Sequence, residues 1–253
     1  MSADRVGANV VGGVLTITLN RPDKRNAIDQ LMIDQLQDHL EQADLDQDTR
    51  VVAIRGAGKD FCAGADLSEL LASADRSPEE NAHSAAKLGA VFERMRDIPK
   101  PIVAVVQGRA LAGGCGLATA CDLVLAHADS TFGYPEIQRG FVPAMVLAML
   151  RRAVGEKVAF DLVATGRLLA AGEAERVGLV SRVVPADGFD AIVNEFLTRV
   201  ASTSGSALAL IKRQVYAMDG LSFRDAIRLG AQVNAVARST PDFKQAVAKF
   251  LER

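Results

Sequence analysis

Two glycine-rich turns are the parts of this sequence most able to do chemistry, because each joins an apolar segment to a helical one. The first, residues 56–66, contains Ala65, and the second, residues 109–122, contains Gly113. Glycine lets the backbone turn sharply and lets a ligand approach without a Cβ in the way. The helix that follows such a turn has free N–H groups at its start. The two turns together could present two amides to one carbonyl oxygen and stabilise an oxyanion. For either turn alone, a small-residue helix packed between strands is an equally good explanation, since glycine pairs before helices are common.

A carboxylate, Glu136, is the candidate acid or base of the sequence. Its neighbours in the chain are apolar, namely Tyr134, Ile137, Phe141 and Val142. Apolar surroundings raise the pKa of a carboxyl group toward neutrality, which suits proton transfer. The competing interpretation is a solvated loop carboxylate, and on this segment alone it is the better supported of the two.

The elements that must position these residues follow from the hydrophobic pattern. Alternating apolar residues around Gly12-Gly13 predict a hairpin over 10–19, and short apolar runs predict further strands. These runs are 51–54, 102–106, 123–126 and 180–184, and residues 131–136 are expected to be a short strand that runs into a loop. Asp29 is expected to cap one helix, and the Ser77-Pro-Glu-Glu80 capping box to begin another that ends near Asp97.

The pattern changes from alternating strands and helices to helices alone near residue 190, where we place a domain boundary. The division is residues 1–190 for the strand-containing core and residues 191–253 for a helical segment. Other helices are predicted at 67–71, 143–154, 156–165, 189–202, 207–218, 223–238 and 242–252.

Composition excludes several classes of function. The 253 residues carry 29 Lys and Arg against 31 Asp and Glu, a net charge of −2, so no basic excess argues for nucleic acid. The longest apolar run, 141–150, is too short to span a bilayer. Cys62, Cys115 and Cys121 have no metal-ligand spacing, and an odd count fits reduced thiols in a cytoplasmic protein. A metal site is therefore not expected.

Four stretches, in order along the chain, resemble the crotonase (enoyl-CoA hydratase/isomerase) superfamily. They are Phe61-Cys-Ala-Gly-Ala-Asp-Leu67, Gly113-Gly-Cys115 with Cys121-Asp122, Gly133-Tyr-Pro-Glu136 and Gly178-Leu-Val180. The resemblance implies an α/β fold, a crotonase-like spiral of ββα units over 1–190, and a C-terminal helical trimerisation segment over 191–253. It also implies an acyl-CoA substrate, with coenzyme A entering as the thioester part of that substrate and no separate cofactor. A trimer or a dimer of trimers is the expected assembly.

The resemblance assigns roles to individual positions. The oxyanion hole of the family falls on the N–H groups of Ala65 and Gly113, in agreement with the two-turn interpretation, and Glu136 matches a catalytic glutamate. The expected CoA contacts are Arg25, Ala27, Lys59, Ala63, Ala65, Asp66 and Leu67, together with Phe250 and Arg253 of the last helix. Lys59 is equally well explained as a solvated turn lysine, and Phe250 as ordinary helix packing.

One position departs from the family pattern. Hydratases of the family carry a second glutamate where this chain has Gly116, and hydration needs two groups to handle a water molecule and a proton. One carboxylate suffices to move a proton along an allylic system, so Δ3-Δ2 enoyl-CoA isomerisation by Glu136 is the preferred prediction. The alternatives are a hydratase with an unplaced second group, a thioester hydrolase, and an inactive acyl-CoA-binding protein. A carboxylate retained in apolar surroundings argues against the last.

Overall fold

The computed structural model describes residues 4–252, which form an α/β fold with two sheets. The larger sheet has the order β1-β2-β3-β4-β6-β9, and it is parallel except for the β1–β2 hairpin. Its strands are β1 (Val6–Val11), β2 (Val14–Leu19), β3 (Val51–Gly56), β4 (Ile102–Val106), β6 (Leu123–His127) and β9 (Arg182–Val184). The smaller sheet consists of β5 (Arg109–Leu111), β7 (Thr131–Gly133) and β8 (Leu168–Ala170).

Helices cover both faces of the larger sheet. The strands β3 and β4 therefore read as continuous apolar runs rather than as alternating ones. The helices are α1 (Gln30–Leu45), α2 (Leu67–Ala72), α3 (Pro78–Asp97), α4 (Gly113–Ala120), α5 (Leu147–Val154), α6 (Glu156–Thr165), α7 (Ala171–Arg176), α8 (Phe189–Ala201), α9 (Gly205–Ala217), α10 (Phe223–Ser239) and α11 (Pro241–Leu251). Short 3₁₀ turns lie at Pro22–Lys24 and Pro135–Arg139.

The predicted helix starts at Asp29 and Ser77 are confirmed. The Asp29 carboxylate accepts a hydrogen bond from the Met32 N–H, and Ser77 and Glu80 form a complete capping box. Both arrangements satisfy amides that have no partner inside their own helix.

The predicted helix over 143–154 is wrong at its start, because α5 begins only at Leu147. Residues 143–146 form turns instead, in which the Ala144 N–H donates to the Val142 carbonyl. The sequence pattern does not predict β5 or β8, because each is only three residues long and runs directly into the segment that forms the next helix.

The helices after residue 188 attach to the core in succession. Helix α8 packs on one face of the larger sheet through Phe189, Val193 and Leu197, α9 packs on α3, and α10 and α11 pack on α9. The boundary near residue 190 thus falls inside a helix that covers the sheet, and the division into two domains stays a prediction. No helix within residues 4–252 is long and apolar enough to cross a membrane.

A buried ion pair joins α9 to the end of α4. The Asp122 carboxylate receives Lys212 Nζ at 2.8 Å, the Tyr216 hydroxyl at 2.6 Å and the Ile102 N–H at 2.7 Å. Lys212 also donates to the Met95 carbonyl at 2.7 Å, and burial lowers the pKa of its ammonium. Since both charges have close partners, the arrangement offsets the cost of taking them out of water.

We expect the substitution Lys212→Met to destabilise the fold by about 3 kcal/mol, because it leaves the Asp122 carboxylate without its cation. Urea unfolding measures this change. The double variant Lys212→Met/Asp122→Asn should lose less than the sum of the two single variants. Additive losses would mean that the two side chains do not stabilise one another.

Candidate active site

Two loops that the resemblance assigns to CoA lie side by side as a short parallel ladder. The Ala63 N–H donates to the Arg25 carbonyl at 3.0 Å, and the Ile28 N–H donates to the Gly64 carbonyl at 2.8 Å. The Asp66 N–H donates to the Ile28 carbonyl at 2.8 Å. Residues distant in the sequence are thereby brought to one surface, beside the first of the two candidate amides.

The Arg21 side chain connects the two loops of this ladder. Its buried guanidinium donates to the Ala27 carbonyl at 2.6 Å and lies 3.2 Å from the Asp29 carboxylate and 2.9 Å from that of Asp66. Hydrogen bonds from the Ser68 hydroxyl and from Arg21 lower the pKa of Asp66 to about 2. The Asp66 carboxylate is therefore ionised and already has partners within the chain. The role of Arg21 is not recognisable from sequence, because it is one of two arginines in a polar loop.

Asn26 is a second residue that sequence reasoning missed. Its side chain is fully buried, accepts from the Arg21 N–H at 2.9 Å and donates to the carbonyls of Ala57 and Asp60 at 2.9 and 2.8 Å. It fixes the ladder to the turn that carries Lys59, whose side chain is exposed on that turn. The ladder itself does not include Lys59.

The two candidate amides approach each other closely. A Cβ built on Gly64 would lie 3.4 Å from the Gly113 nitrogen, and one built on Gly113 would lie 3.9 Å from the Ala65 nitrogen. Within residues 4–252, neither the Ala65 N–H nor the Gly113 N–H donates to a backbone or side-chain acceptor. Each follows a residue with positive φ, Gly64 at +99° and Ala112 at +51°. Positive φ at a non-glycine residue such as Ala112 is uncommon and often accompanies a functional site.

The smaller sheet sets the second amide and the carboxylate at the same edge. Its strands β5 and β7 are parallel, with Leu111 opposite Gly133, and the Ala112 N–H donates to the Gly133 carbonyl at 2.8 Å. Gly113 follows β5 and Glu136 follows β7, so both leave the sheet from the same end. This convergence depends on β5, which the hydrophobic pattern did not reveal.

The Glu136 carboxyl is buried, with 9% of the residue exposed. Its Oε2 atom has no hydrogen-bond partner within the described residues. Burial raises the pKa of Glu136, and the charge of Arg139 offsets only part of that rise. The pKa of the Cys115 thiol is raised to about 11 by burial first, and the nearby Glu136 charge adds to the rise. The carboxyl therefore lies near the first turn of α4, the helix that begins at Gly113.

The surroundings of Glu136 are apolar only in part. Tyr134 is fully buried, and its hydroxyl pairs with Thr119 Oγ1 at 2.8 Å. Ile137, Phe141 and Val142 remain about half exposed, so they do not enclose the carboxyl in the isolated chain. Burial of the carboxyl is nevertheless the largest cause of its raised pKa.

A cavity of about 310 Å³ opens beside Ala65. It lies between α1, α2 and α3, and its apolar wall includes Ile28, Ile33, Leu70 and Leu88. A cavity with such a wall beside an amide with no acceptor suits the apolar chain of an acyl group.

The space beside Gly116 is filled. A Cβ built on Gly116 would overlap Cγ1 of Val146 and lie 3.8 Å from Cζ of Phe92. Val146 is 4% exposed, so it cannot easily move aside. No side chain larger than hydrogen fits at position 116 in this arrangement.

Two of the predicted CoA contacts, Phe250 and Arg253, belong to the last segment of the chain. Phe250 is on α11, which packs against α9 and α10, and 75% of Phe250 is exposed, so packing within the chain does not explain it. Arg253 lies outside the described residues. Leu67, at the start of α2, is exposed beside the ladder.

The cysteines offer no obvious nucleophile. All three are free and buried, and burial raises the pKa of the Cys62 thiol to about 12. Thiols in such surroundings are protonated at neutral pH and are therefore poor nucleophiles. In the part of the chain that the structure describes, no group of three or more His, Cys, Asp or Glu side chains could hold a metal ion.

Comparison with known proteins agrees with this geometry. The family model for enoyl-CoA hydratase/isomerase matches residues 9–253. The chain is 40% identical over 242 residues to a putative enoyl-CoA hydratase of Thermus thermophilus, covering 96% of each protein. It is 34% identical over 241 residues to the 2,3-dehydroadipyl-CoA hydratase of Escherichia coli, covering 95% of this chain and 92% of that protein.

Solved structures agree as well. An enoyl-CoA hydratase of Mycobacterium smegmatis superposes with a TM-score of 0.93 at 30% identity, covering 98% of this chain and 96% of the other. Human enoyl-CoA hydratase domain-containing protein 3 gives a TM-score of 0.93 at 29% identity, covering 98% and 97%. The fold, the matched motifs and these similarities lead to one conclusion: the chain belongs to the enoyl-CoA hydratase/isomerase family.

Proposed function

We propose that this protein isomerises 3-enoyl-CoA to 2-enoyl-CoA, with Glu136 as its single acid and base. The observation that carries the proposal is the packing of Val146 against Gly116. It leaves no room for a second carboxylate at the position where the hydratases of the family have one. One buried carboxyl with a raised pKa and an unpaired oxygen is what a proton shuttle requires.

In the proposed mechanism the thioester carbonyl oxygen accepts hydrogen bonds from the N–H groups of Ala65 and Gly113. Glu136 removes a proton from C2, and the electron pair delocalises through the C3–C4 double bond into a dienolate whose charge rests on the carbonyl oxygen. The same carboxyl then returns the proton to C4, and the double bond is left between C2 and C3. Each amide donor contributes about 3–4 kcal/mol to the stability of that transition state.

The CoA moiety is proposed to lie along the ladder. Its contacts would come from Arg25, Ala27, Ala63, Ala65, Asp66 and Leu67, with Lys59 on the neighbouring turn. Backbone groups dominate this set, since the Asp66 carboxylate is engaged by Arg21. Phe250 and Arg253 are proposed to reach a CoA molecule, often that of a neighbouring subunit.

Self-association as a trimer or a dimer of trimers is also proposed. Helices α10 and α11 expose large apolar side chains, including Phe223 at 84%, Ile227 at 60% and Leu251 at 78%. Exposed apolar area of this kind favours contact with another chain. A cytoplasmic location stays a prediction.

Hydration of 2-enoyl-CoA is the second candidate, because the relatives reported above carry hydratase names. It would need a second group, other than position 116, to hold the water. Incubation with 3-enoyl-CoA and with 2-enoyl-CoA separates the two reactions, since conjugation raises and hydration lowers the absorbance of the conjugated thioester. Hydration by the unaltered protein at a rate matching isomerisation would overturn the isomerase assignment. Thioester cleavage, or binding without turnover, would point to the hydrolase or the inactive binding protein.

The substitution Glu136→Gln is expected to lower kcat for isomerisation by about 10²–10⁴-fold, because the amide cannot carry the proton. Binding of saturated acyl-CoA should change little. Glu79→Gln, at an exposed position on α3, is the control and should leave the rate unaltered.

A pH profile supplies a second measurement on the same pair of proteins. The base acts only when deprotonated, and burial raises its pKa, so kcat/KM should fall on acidification at a higher pH than an ordinary carboxyl would give. Full activity of Glu136→Gln, or an acid limb at an ordinary carboxyl pKa, would remove Glu136 from the mechanism.

We expect Gly64→Ala to reduce kcat by about 10²-fold, since its Cβ would lie 2.7 Å from the Cβ of Ala112 and push the two amides apart. Steady-state kinetics with 3-enoyl-CoA measures the loss. Gly220→Ala is the matched control, because Gly220 also has a positive φ, +81°, but open space around it. Equal effects of the two substitutions would attribute the loss to backbone strain alone.

The Gly116 position can be tested by restoring the second carboxylate. Gly116→Glu alone should lose stability and activity because it overlaps Val146, whereas Gly116→Glu/Val146→Ala removes that overlap and should gain measurable hydration of 2-enoyl-CoA. Val146→Ala alone is the control and should isomerise without hydrating. A fully stable Gly116→Glu single variant would show that Val146 does not restrict the position.

A further inference from the structure

The acyl cavity has a cationic end. Helix α2 forms one wall, with Ala65 and Asp66 at its beginning and Ser73 and Arg76 just beyond its end. The six residues of α2 span about 9 Å, and Ala65 and Arg76 line the cavity from beyond opposite ends of that helix. An acyl chain whose carbonyl oxygen is held at Ala65 would extend past Leu70 toward Arg76.

Arg76 differs from the other charged residues of the wall in having no partner. Asp29 and Asp66 are paired with Arg21, and Glu69 accepts from the Gln30 N–H at 3.1 Å, at the positive end of α1. The Arg76 guanidinium forms no ion pair and no hydrogen bond with any residue in the range 4–252. The three acidic side chains of this wall thus have partners within the chain, whereas the Arg76 guanidinium has none among the described residues.

A hydroxyl group accompanies the arginine. Ser84 lines the cavity from α3, one turn before Leu88 on the same helical face. Its hydroxyl makes no side-chain hydrogen bond within the described residues. A planar guanidinium and a hydroxyl that line one cavity match a carboxylate, which accepts two parallel hydrogen bonds from arginine.

We propose that Arg76 binds a carboxylate at the far end of the acyl chain, so that the preferred substrates are ω-carboxyacyl-CoA thioesters. The inference rests on the proposed function for the placement of the thioester at Ala65. It deepens that function by naming the class of acyl group. The apolar side chains of Ile33 and Leu70 then contact the methylene carbons between the two ends.

The test is the binding of saturated thioesters by calorimetry, which requires no turnover. The probes are adipoyl-CoA and suberoyl-CoA, each paired with hexanoyl-CoA or octanoyl-CoA of the same chain length, and free CoA. Arg76→Gln should weaken the better of the two ω-carboxyacyl ligands about tenfold and leave its methyl-terminated partner and free CoA unchanged. Arg76→Lys should retain part of the affinity, and the effect should shrink as the salt concentration rises.

Arg176→Gln is the matched control, because Arg176 is an exposed arginine outside this cavity. Equal weakening of all ligands by Arg76→Gln, free CoA included, would assign Arg76 to a CoA phosphate and overturn the proposal. No change with either ω-carboxyacyl ligand would overturn it as well. Because none of these saturated probes isomerises, a failed isomerase assay leaves this result intact, and a failed binding test leaves the isomerase assignment intact.

Discussion

The close approach of two backbone segments, at Gly64 and at Ala112, is the contact on which the site depends. Their Cβ positions would be 2.7 Å apart if Gly64 carried one, so only glycine permits the distance. The approach leaves two N–H groups facing the same region without an acceptor inside the described chain. Ala65 is exposed and Gly113 is partly exposed, so an oxygen atom from outside the chain can reach both amides. An oxygen between them would accept two hydrogen bonds, which is the arrangement that stabilises a developing oxyanion.

The position and the acidity of Glu136 depend on the smaller sheet. The smaller sheet brings the chain after β7 back to the edge where α4 begins, and burial there raises the pKa of Glu136. Within residues 4–252, the Glu136 carboxyl forms no ion pair with a basic residue that would fix its charge. Its pKa is raised by burial, whereas hydrogen bonds from Ser68 and Arg21 lower the pKa of Asp66 and keep that carboxylate ionised.

Helix α4 links the site to the C-terminal helices. It carries Gly113 at one end, and the Asp122 carboxylate just after its other end is held by Lys212 and Tyr216 of α9. A helix fixed at both ends places its first amide with little freedom. The helical segment therefore supports the core directly, whatever further role it has in assembly.

Local chemistry was sufficient for a large part of the structure. The hairpin at Gly12-Gly13, the caps at Asp29 and Ser77 and the glycine turns before α2 and α4 depend on neighbouring residues, so the sequence alone determined them. Glu136 is likewise recognisable from the sequence as a candidate acid or base, since it follows a predicted short strand. The start of α5 was misjudged, because the turns at 143–146 depend on how that segment packs.

Only the tertiary structure decided which of these residues meet. The ion pairs of Arg21 with Asp29 and Asp66, the contacts that bury Asn26 and the packing of Val146 on Gly116 join positions between 8 and 45 residues apart, and no local pattern encodes them. Strand β5 was hidden for a related reason, since three residues gain strand geometry only from their partner in the sheet. The sequence thus determined the chemical groups, through residue type and local turns, while long-range packing determined their distances, their burial and hence their acidity.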